Sequence, residues 1–403
     1  MKILVVARLF SGLTESAQSG VWAPSGVPAI YKLMEALASD RTIELKTVLT
    51  VKDDLGDWGQ ADRTVAFPAV GSVKILGAPG GGLLGRLGLA GKWREILHLM
   101  KVLFLVLRWR PDVCYVTNAN FIAGSMIARL RLSRVVMRFL GLHPVQKRIA
   151  EDGGGFQAIL YRAPFAHAVC SLDGSGGKKY LPKLLSSRVP ITVLLNGVDR
   201  IDPDPDRVRE LKKAHDLGTR PVVLFVGRLE PNKGILEFVD ACGSILADQS
   251  DAMDVLIAGD GSQMAAARER AKSERIRFLG AVEHRDVAAL LSLGDIYVSL
   301  NRFGSLSNAN LEAARAGLCL VTLAPDLAEG TDVESLDVFP EGTVFRIDRD
   351  DMQVELTDTL RTLLSDPSLV DGYRARIRET VAGGFRTWDE RISDEIELLR
   401  SVA

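Results

Sequence analysis

Short, almost wholly apolar runs alternate along this chain with stretches whose apolar positions recur every three or four residues. The first half reads KILVVARLF and then VPAIYKLMEALAS, IELKTVLTV, WREILHLMKVLFLVLRW followed by DVCYVTNA, and RVVMRFLG. The second half repeats the alternation with VVLFVG, ILEFVDACGSILA, MDVLIAGD, VAALLSLG, IYVSLN and LCLVTLA. Apolar strands of roughly four to eight residues feeding amphipathic helices predict parallel sheets covered by helices on both faces. The pattern occurs twice, so the predicted fold class is α/β with two Rossmann-like, doubly wound domains. A length of 403 residues favours the same division. Between the halves, RVPITVLLNGVDRIDPDPDRV is rich in Pro, Asp and Gly and reads as the linker. Ligands of such folds bind beyond the strand C-termini, which makes a cleft between the domains the expected active site.

Composition narrows the setting. Cys114, Cys170, Cys242 and Cys319 lie far apart in apolar runs with no CxxC pair, the usage of buried thiols in a reducing compartment. MKILVVARLF is interrupted by Arg8 and followed by no small-residue cleavage site, so a first buried strand is expected rather than a leader. The most apolar helical stretch, Ile96 to Leu107, spans 12 residues and contains Lys101, short of the roughly 20 that a membrane span needs. A cytoplasmic protein is expected. Residues 1–200 hold 26 Lys plus Arg against 14 Asp plus Glu, and the remainder 24 against 37. The basic half suits an anionic partner, or each sign has merely collected on one domain. Trp93 to Arg110 is either a core helix or an interfacial anchor, with Lys101, Arg108, Trp109 and Arg110 toward one end.

The chemistry concentrates in two segments. In Val222 to Gly234, a buried strand delivers Gly227 and Arg228 and, five residues on, Lys233 at a helix start. Two cations beside free helix amides suit a diphosphate. In Ser305 to Gly317, small polar residues open an Ala-rich helix with Glu312 in its first turns, where a carboxylate can accept from two ribose hydroxyls. Together they read as a nucleotide-sugar site. Taken singly, Arg228 and Lys233 would be surface cations and Glu312 a helix-dipole partner.

These residues resemble the retaining GT-B glycosyltransferases of family 4. The match runs through Gly227-Arg228-Leu229…Lys233-Gly234, Gly259-Asp260-Gly261, Asn196-Gly197-Val198-Asp199 and Glu312, dense from about residue 190 to 325 and thin before it. The resemblance implies that Arg228 and Lys233 are the catalytic cations and that Glu312 holds the ribose. The first glutamate of the family's E-x7-E pattern, which helps hold the donor sugar, falls on Gly304. Ser305, Ser307, Asn308 and Ala309 are the polar and backbone groups left to contact the donor, with Ser307 or Asn308 also a helix cap. Gly261 is a donor-side glycine or part of a structural turn. Gly26, in Ser25-Gly26-Val27-Pro28, corresponds to the family's first-domain glycine loop. Asn118, Arg138 and His143, at strand ends of the first half, are the acceptor-side candidates. The implied division is 1–195 for the acceptor domain and 196–386 for the donor domain, with a last helix at about 387–403 packing back on the first.

Other signals point nowhere. Gly80, Gly82 and Gly85 spell GxGxxG without a strand feeding a helix. Asp202, Asp204 and Asp206 mimic a metal-binding D-x-D but lie among linker prolines, and the five histidines have no ligand spacing. The expected function is therefore a retaining, metal-independent hexosyltransferase with no cofactor. It uses a nucleotide diphosphate sugar and a glycan acceptor, lipid-linked in bacterial surface polysaccharide synthesis. The expected partners exclude nucleic acid and include an anionic membrane at the inner face of the cytoplasmic membrane. A sugar-nucleotide 2-epimerase of the same fold and a non-catalytic nucleotide-sugar-binding protein are the alternatives.

Overall fold

The computed structural model describes residues 1–51, 55–77 and 90–403. These form two compact units. The first comprises Met1–Ser171, Gly177–Leu195 and Trp388–Ala403, and the second Leu172–Gly176 and Asn196–Thr387.

The first unit is built on β1 (Lys2–Arg8), β2 (Glu44–Thr50), β3 (Arg63–Phe67), β4 (Gly71–Leu76), β5 (Val113–Thr117), β6 (Arg134–Phe139), β7 (His167–Leu172) and β8 (Ile191–Leu195). Their order is β3-β4-β2-β1-β5-β6-β7-β8. The central strands pair in parallel, and β3 runs antiparallel against β4. Ile3 and Val5 enter one hydrophobic cluster while Leu4 and Val6 enter another. A strand alternates sides with a period of two, so unbroken hydrophobicity means that both faces are covered. The last helix, Trp388–Val402, belongs to this unit. Its fully buried Glu395 meets the Arg138 Nε of β6 at 3.4 Å and accepts hydrogen bonds from Tyr115 of β5 and from Arg391.

The second unit is built on β9 (Val222–Val226), β10 (Asp254–Ala258), β11 (Ile276–Gly280), β12 (Ile296–Ser299), β13 (Cys319–Leu323) and β14 (Phe345–Ile347). All its described pairings are parallel, in the order β11-β10-β9-β12-β13-β14. The chain winds outward from β9 through β10 and β11, then returns to the other side of β9 as β12. That reversal opens a crevice beyond the C-terminal ends of β9 and β12, where open α/β sheets place their ligands.

The stretch read as a linker is more ordered than its Pro and Asp content suggests. It contains β8 and leads into the helix Pro205–Ala214. Asp204 caps that helix by accepting from Asp206 N at 2.9 Å, which accounts for the D-x-D run as local capping. The helix Ala90–Trp109 has 20 residues, and among the described residues no helix is long and apolar enough to cross a membrane. All four cysteines are buried and none forms a disulfide among the described residues, with burial pushing the Cys114 thiol up to about 12. The glycines at 80, 82 and 85 lie outside the described residues.

Candidate functional site

One wall of the second unit's crevice is the turn after β9. Gly227 leaves the strand with its N donating to Ala258 O at 2.9 Å, and Leu229 is tied to the neighbouring turn through Asp260 O and Gln263 N, each at 2.9 Å. The two turns touch through backbone alone. A Cβ on Gly259 would lie 1.8 Å from Gly227 O, and one on Gly261 2.6 Å from Leu229 O. The glycines of the G-D-G run are therefore required by turn-on-turn packing.

That packing sets Arg228 in the open and Lys233 half-buried, just before the helix Ile235–Asp248. No side chain caps this helix, so its first amides remain available. Among the described residues no ion pair engages either cation. The acid closest in sequence, Glu230, is instead held by Ser262 through Oγ at 2.5 Å and N at 3.3 Å. Burial, and next the positive charge of Arg228, push the Lys233 ammonium down to about 8. A cation whose charge is that unfavourable, next to another and with no acid bound to it, is prepared for an anion.

The other wall follows β12. Arg302 N donates to Asn232 O at 2.9 Å, joining this loop to the turn that carries Lys233. Gly304 has φ of 139°, and a Cβ there would sit 2.4 Å from Asp173 O and 2.9 Å from the Gly174 Cα. No glutamate can occupy this position while the 172–176 segment is in place. Ser305 is buried, and its N donates to Asp332 Oδ1 at 2.9 Å. Burial pushes the Asp332 carboxyl up to about 6.

Ser307, not Asn308, caps the helix Asn308–Arg315 by accepting from Asn310 N. Asn308 Oδ1 accepts from Asn196 Nδ2 at 2.7 Å, drawing the Asn196–Asp199 segment onto the same helix. Ala309 and Glu312 follow, both half-buried. Burial, with a smaller contribution from the negative charge of Asp199, pushes the Glu312 carboxyl up to about 7.

The structure thus places Gly227, Arg228, Lys233, Gly261, Gly304, Ser305, Ser307, Asn308, Ala309 and Glu312 in one unit, on the segments that follow β9, β10 and β12. Gly26, Asn118, Arg138 and His143 belong to the other. Gly26 has φ of 94° in the exposed loop before the helix Pro28–Ser39. Asn118 opens a short turn directly after β5. His143 is exposed before the helix Pro144–Asp152, its N donating to Gln146 Oε1 at 2.9 Å. Arg138 is a correction to the acceptor-side set. Its side chain is fully buried, with donors bound to Phe139 O at 2.7 Å and Ser171 Oγ at 2.8 Å and Nε facing Glu395, so it serves the interior.

Sequence reasoning missed Asp173, Gly174 and Asp332. A glycine-rich turn at a strand end, Asp173-Gly174-Ser175-Gly176-Gly177, was the only local signal for the first two. Among the described residues no group of three His, Cys, Asp or Glu side chains is placed to hold a metal.

Comparison with known proteins bears on this crevice directly. Residues 220–366 match the family described as Glycosyl transferases group 1. That segment contains both crevice walls from Gly227 to Glu312. The whole chain superposes on the Anabaena protein HepE, solved in complex with UDP and glucose, with a TM-score of 0.68, 17% identity and 100% of both chains covered. The fold is GT-B. Among curated relatives, alpha-D-kanosaminyltransferase of Streptomyces kanamyceticus is 28% identical over 187 residues, 45% of each chain. A GDP-mannose-dependent phosphatidylinositol monomannoside mannosyltransferase of Mycobacterium tuberculosis is 28% identical over 213 residues, 50% of this chain and 53% of that protein. The chain thus spans about half the length of these curated relatives.

Proposed function

We propose that this protein is a retaining glycosyltransferase that moves a hexose from a nucleotide diphosphate sugar to a glycan hydroxyl without a metal ion. The observation that carries the reading is the pair of cations, Arg228 and Lys233, in no ion pair among the described residues, beside an uncapped helix N-terminus at the reversal of the sheet. A diphosphate gains negative charge as the anomeric bond breaks. Fixed cations and amides that grip it more tightly at that moment lower the barrier, because only interactions stronger in the transition state accelerate the step. Two positive charges also do the neutralising work that a divalent ion would otherwise do. Glu312, one turn into the opposite helix, accepts from the ribose hydroxyls. With the departing phosphate taking the acceptor proton on the same face, no side-chain base is required.

The acceptor belongs to the first unit in this reading, and it is lipid-linked. On the helix Ala90–Trp109 the side chains of Trp93, Ile96, Met100, Phe104 and Leu107 are between 46% and 67% exposed. Their spacing of three and four residues makes them one apolar stripe. Arg108 and Arg110 stand exposed at its end. An apolar stripe ending in cations suits the surface of a membrane containing anionic lipid. Lys101 is engaged by Asp62 at 2.5 Å and by Gly77 O at 3.1 Å.

Turnover of a panel of nucleotide sugars, with the product anomer read by NMR, tests the first claim. Activity that survives EDTA and a product with the donor's configuration are expected. Inversion, or strict dependence on a divalent ion, contradicts it, and binding without transfer leaves a nucleotide-sugar-binding protein. For the second claim, binding to liposomes containing anionic lipid is expected to weaken with salt and after charge reversal at Arg108 and Arg110, since each basic residue near such a surface contributes about 1 kcal/mol. Equal partition onto neutral and anionic liposomes would assign the acceptor to solution.

A further inference from the structure

Gly304 stands where the resembling enzymes carry the carboxylate that helps hold the donor sugar, and the space beside it is occupied. The occupant is the turn Asp173–Gly176, which comes from the end of β7 yet is part of the second unit. Three independent contacts seat it there. The Asp173 carbonyl and the Gly174 Cα leave no room for a Cβ on Gly304. A Cβ on Gly174, whose φ is 86°, would lie 2.3 Å from Asp332 Oδ1. Asp332 N donates to Gly174 O at 2.6 Å while its Oδ1 accepts from Ser305 N at 2.9 Å. One buried aspartate therefore clamps the turn and the Gly304–Ser305 peptide together.

The turn brings a carboxylate of its own. Asp173 Oδ1 accepts from Ser175 N at 3.0 Å and Ser175 Oγ at 2.5 Å, which fixes the side chain on the turn. No other residue among those described donates to Asp173 Oδ2. Burial raises the pKa of this carboxyl, with Ser175 opposing the shift. A rigidly held, half-buried carboxylate with an open oxygen is what recognition of a sugar hydroxyl requires, since the hydroxyl donates and its orientation is then selected.

We infer that Asp173, presented by the turn wedged against Gly304, replaces the absent side chain at 304 as the acidic group that reads the donor sugar and decides which hexose is accepted. This rests on the donor site proposed above. Having no side chain, Gly304 leaves room for another stretch of backbone, and that backbone carries an acid. Asp332 acts through that turn as a positioning residue.

The test uses the full chain as wild type, Asp173→Asn and Asp173→Ala. Asparagine keeps an acceptor for Ser175 and removes the charge, so the turn persists while the recognition element changes. Calorimetry first measures affinity for UDP, GDP and ADP alone. Steady-state kinetics then measure kcat/KM for the matching nucleotide hexoses and their epimers at C3 and C4. Both variants are expected to bind the nucleoside diphosphate within twofold of wild type, to lose about 10- to 100-fold in kcat/KM on the preferred hexose, and to discriminate less between epimers, the size set by loss of a hydrogen bond to a charged group. Unchanged epimer preference in both variants overturns the inference alone. So does a fall in nucleoside diphosphate affinity as large as the fall in kcat/KM. No binding of any nucleoside diphosphate by the wild type overturns the donor site and the inference together.

Discussion

Arg138 and Arg228 occupy comparable positions in the two units, one near the end of β6 and the other two residues past β9, yet their surroundings are opposite. Arg138 is fully buried and faces Glu395, with Tyr115 and Arg391 completing the group. Arg228 is exposed, next to a half-buried Lys233, and among the described residues no ion pair engages either. A buried charge is tolerable only when paired, so Arg138 fastens the last helix to the first sheet. A cluster of like charges left unpaired raises the energy of the empty protein and is relieved by an anionic ligand. A strand-end arginine is thus architecture in one unit and, in the proposed reading, chemistry in the other, and what separates them is whether the protein itself supplies the acid.

Three substitutions sharpen that contrast. Arg138→Ala leaves Glu395 without one of its cations inside the core and is expected to lower stability by about 3 kcal/mol or more, read by denaturant unfolding. A near-neutral result would return Arg138 to the acceptor-side candidates. Arg228→Ala and Lys233→Ala are expected to leave the unfolding curve in place and to lower turnover by roughly 100-fold or more, the loss typical of a group that stabilises developing charge. Wild-type turnover in the folded double variant would contradict the assignment.

The smallest expected effect is on the pH profile. Lys233 in the free protein loses its charge as pH rises through about 8, so kcat/KM for the donor should fall there. Glu312 becomes the ionised acceptor as pH rises through about 7, so the same parameter should climb there. Lys233→Arg should remove the alkaline limb, because guanidinium does not titrate in this range, and Glu312→Gln the acid limb. A profile flat from pH 6 to 9 would sever both groups from donor binding.

The same contrast explains what could be read in advance. VVLFVGRLEPNKG is local information: the strand, the turn, both cations and the following helix are contiguous, so their placement at one strand end was legible from their own spacing, and their proposed donor role is what the experiments above test. Arg138 looked equivalent because its partner lies in the last helix, and no local pattern announces a contact across most of the chain. Gly304 was recognisable as a departure, but its cause was not, since the turn that fills the space arrives from the end of β7. The hairpin of β3 and β4 and the three-residue β14 escaped because short edge strands have too few residues to show a period. β8 was hidden in a segment whose Pro and Asp residues, in fact a helix cap and its surroundings, dominate the composition.

The central claim is that the unpaired cations at the reversal of the second sheet hold a diphosphate. Calorimetric titration of the wild type and the Arg228→Ala, Lys233→Ala double variant with UDP, GDP and ADP in EDTA-treated buffer tests it most directly. The account predicts saturable, metal-independent binding of at least one of them to the wild type, and its loss in the folded double variant. No binding to the wild type, or equal binding to both proteins, would contradict it.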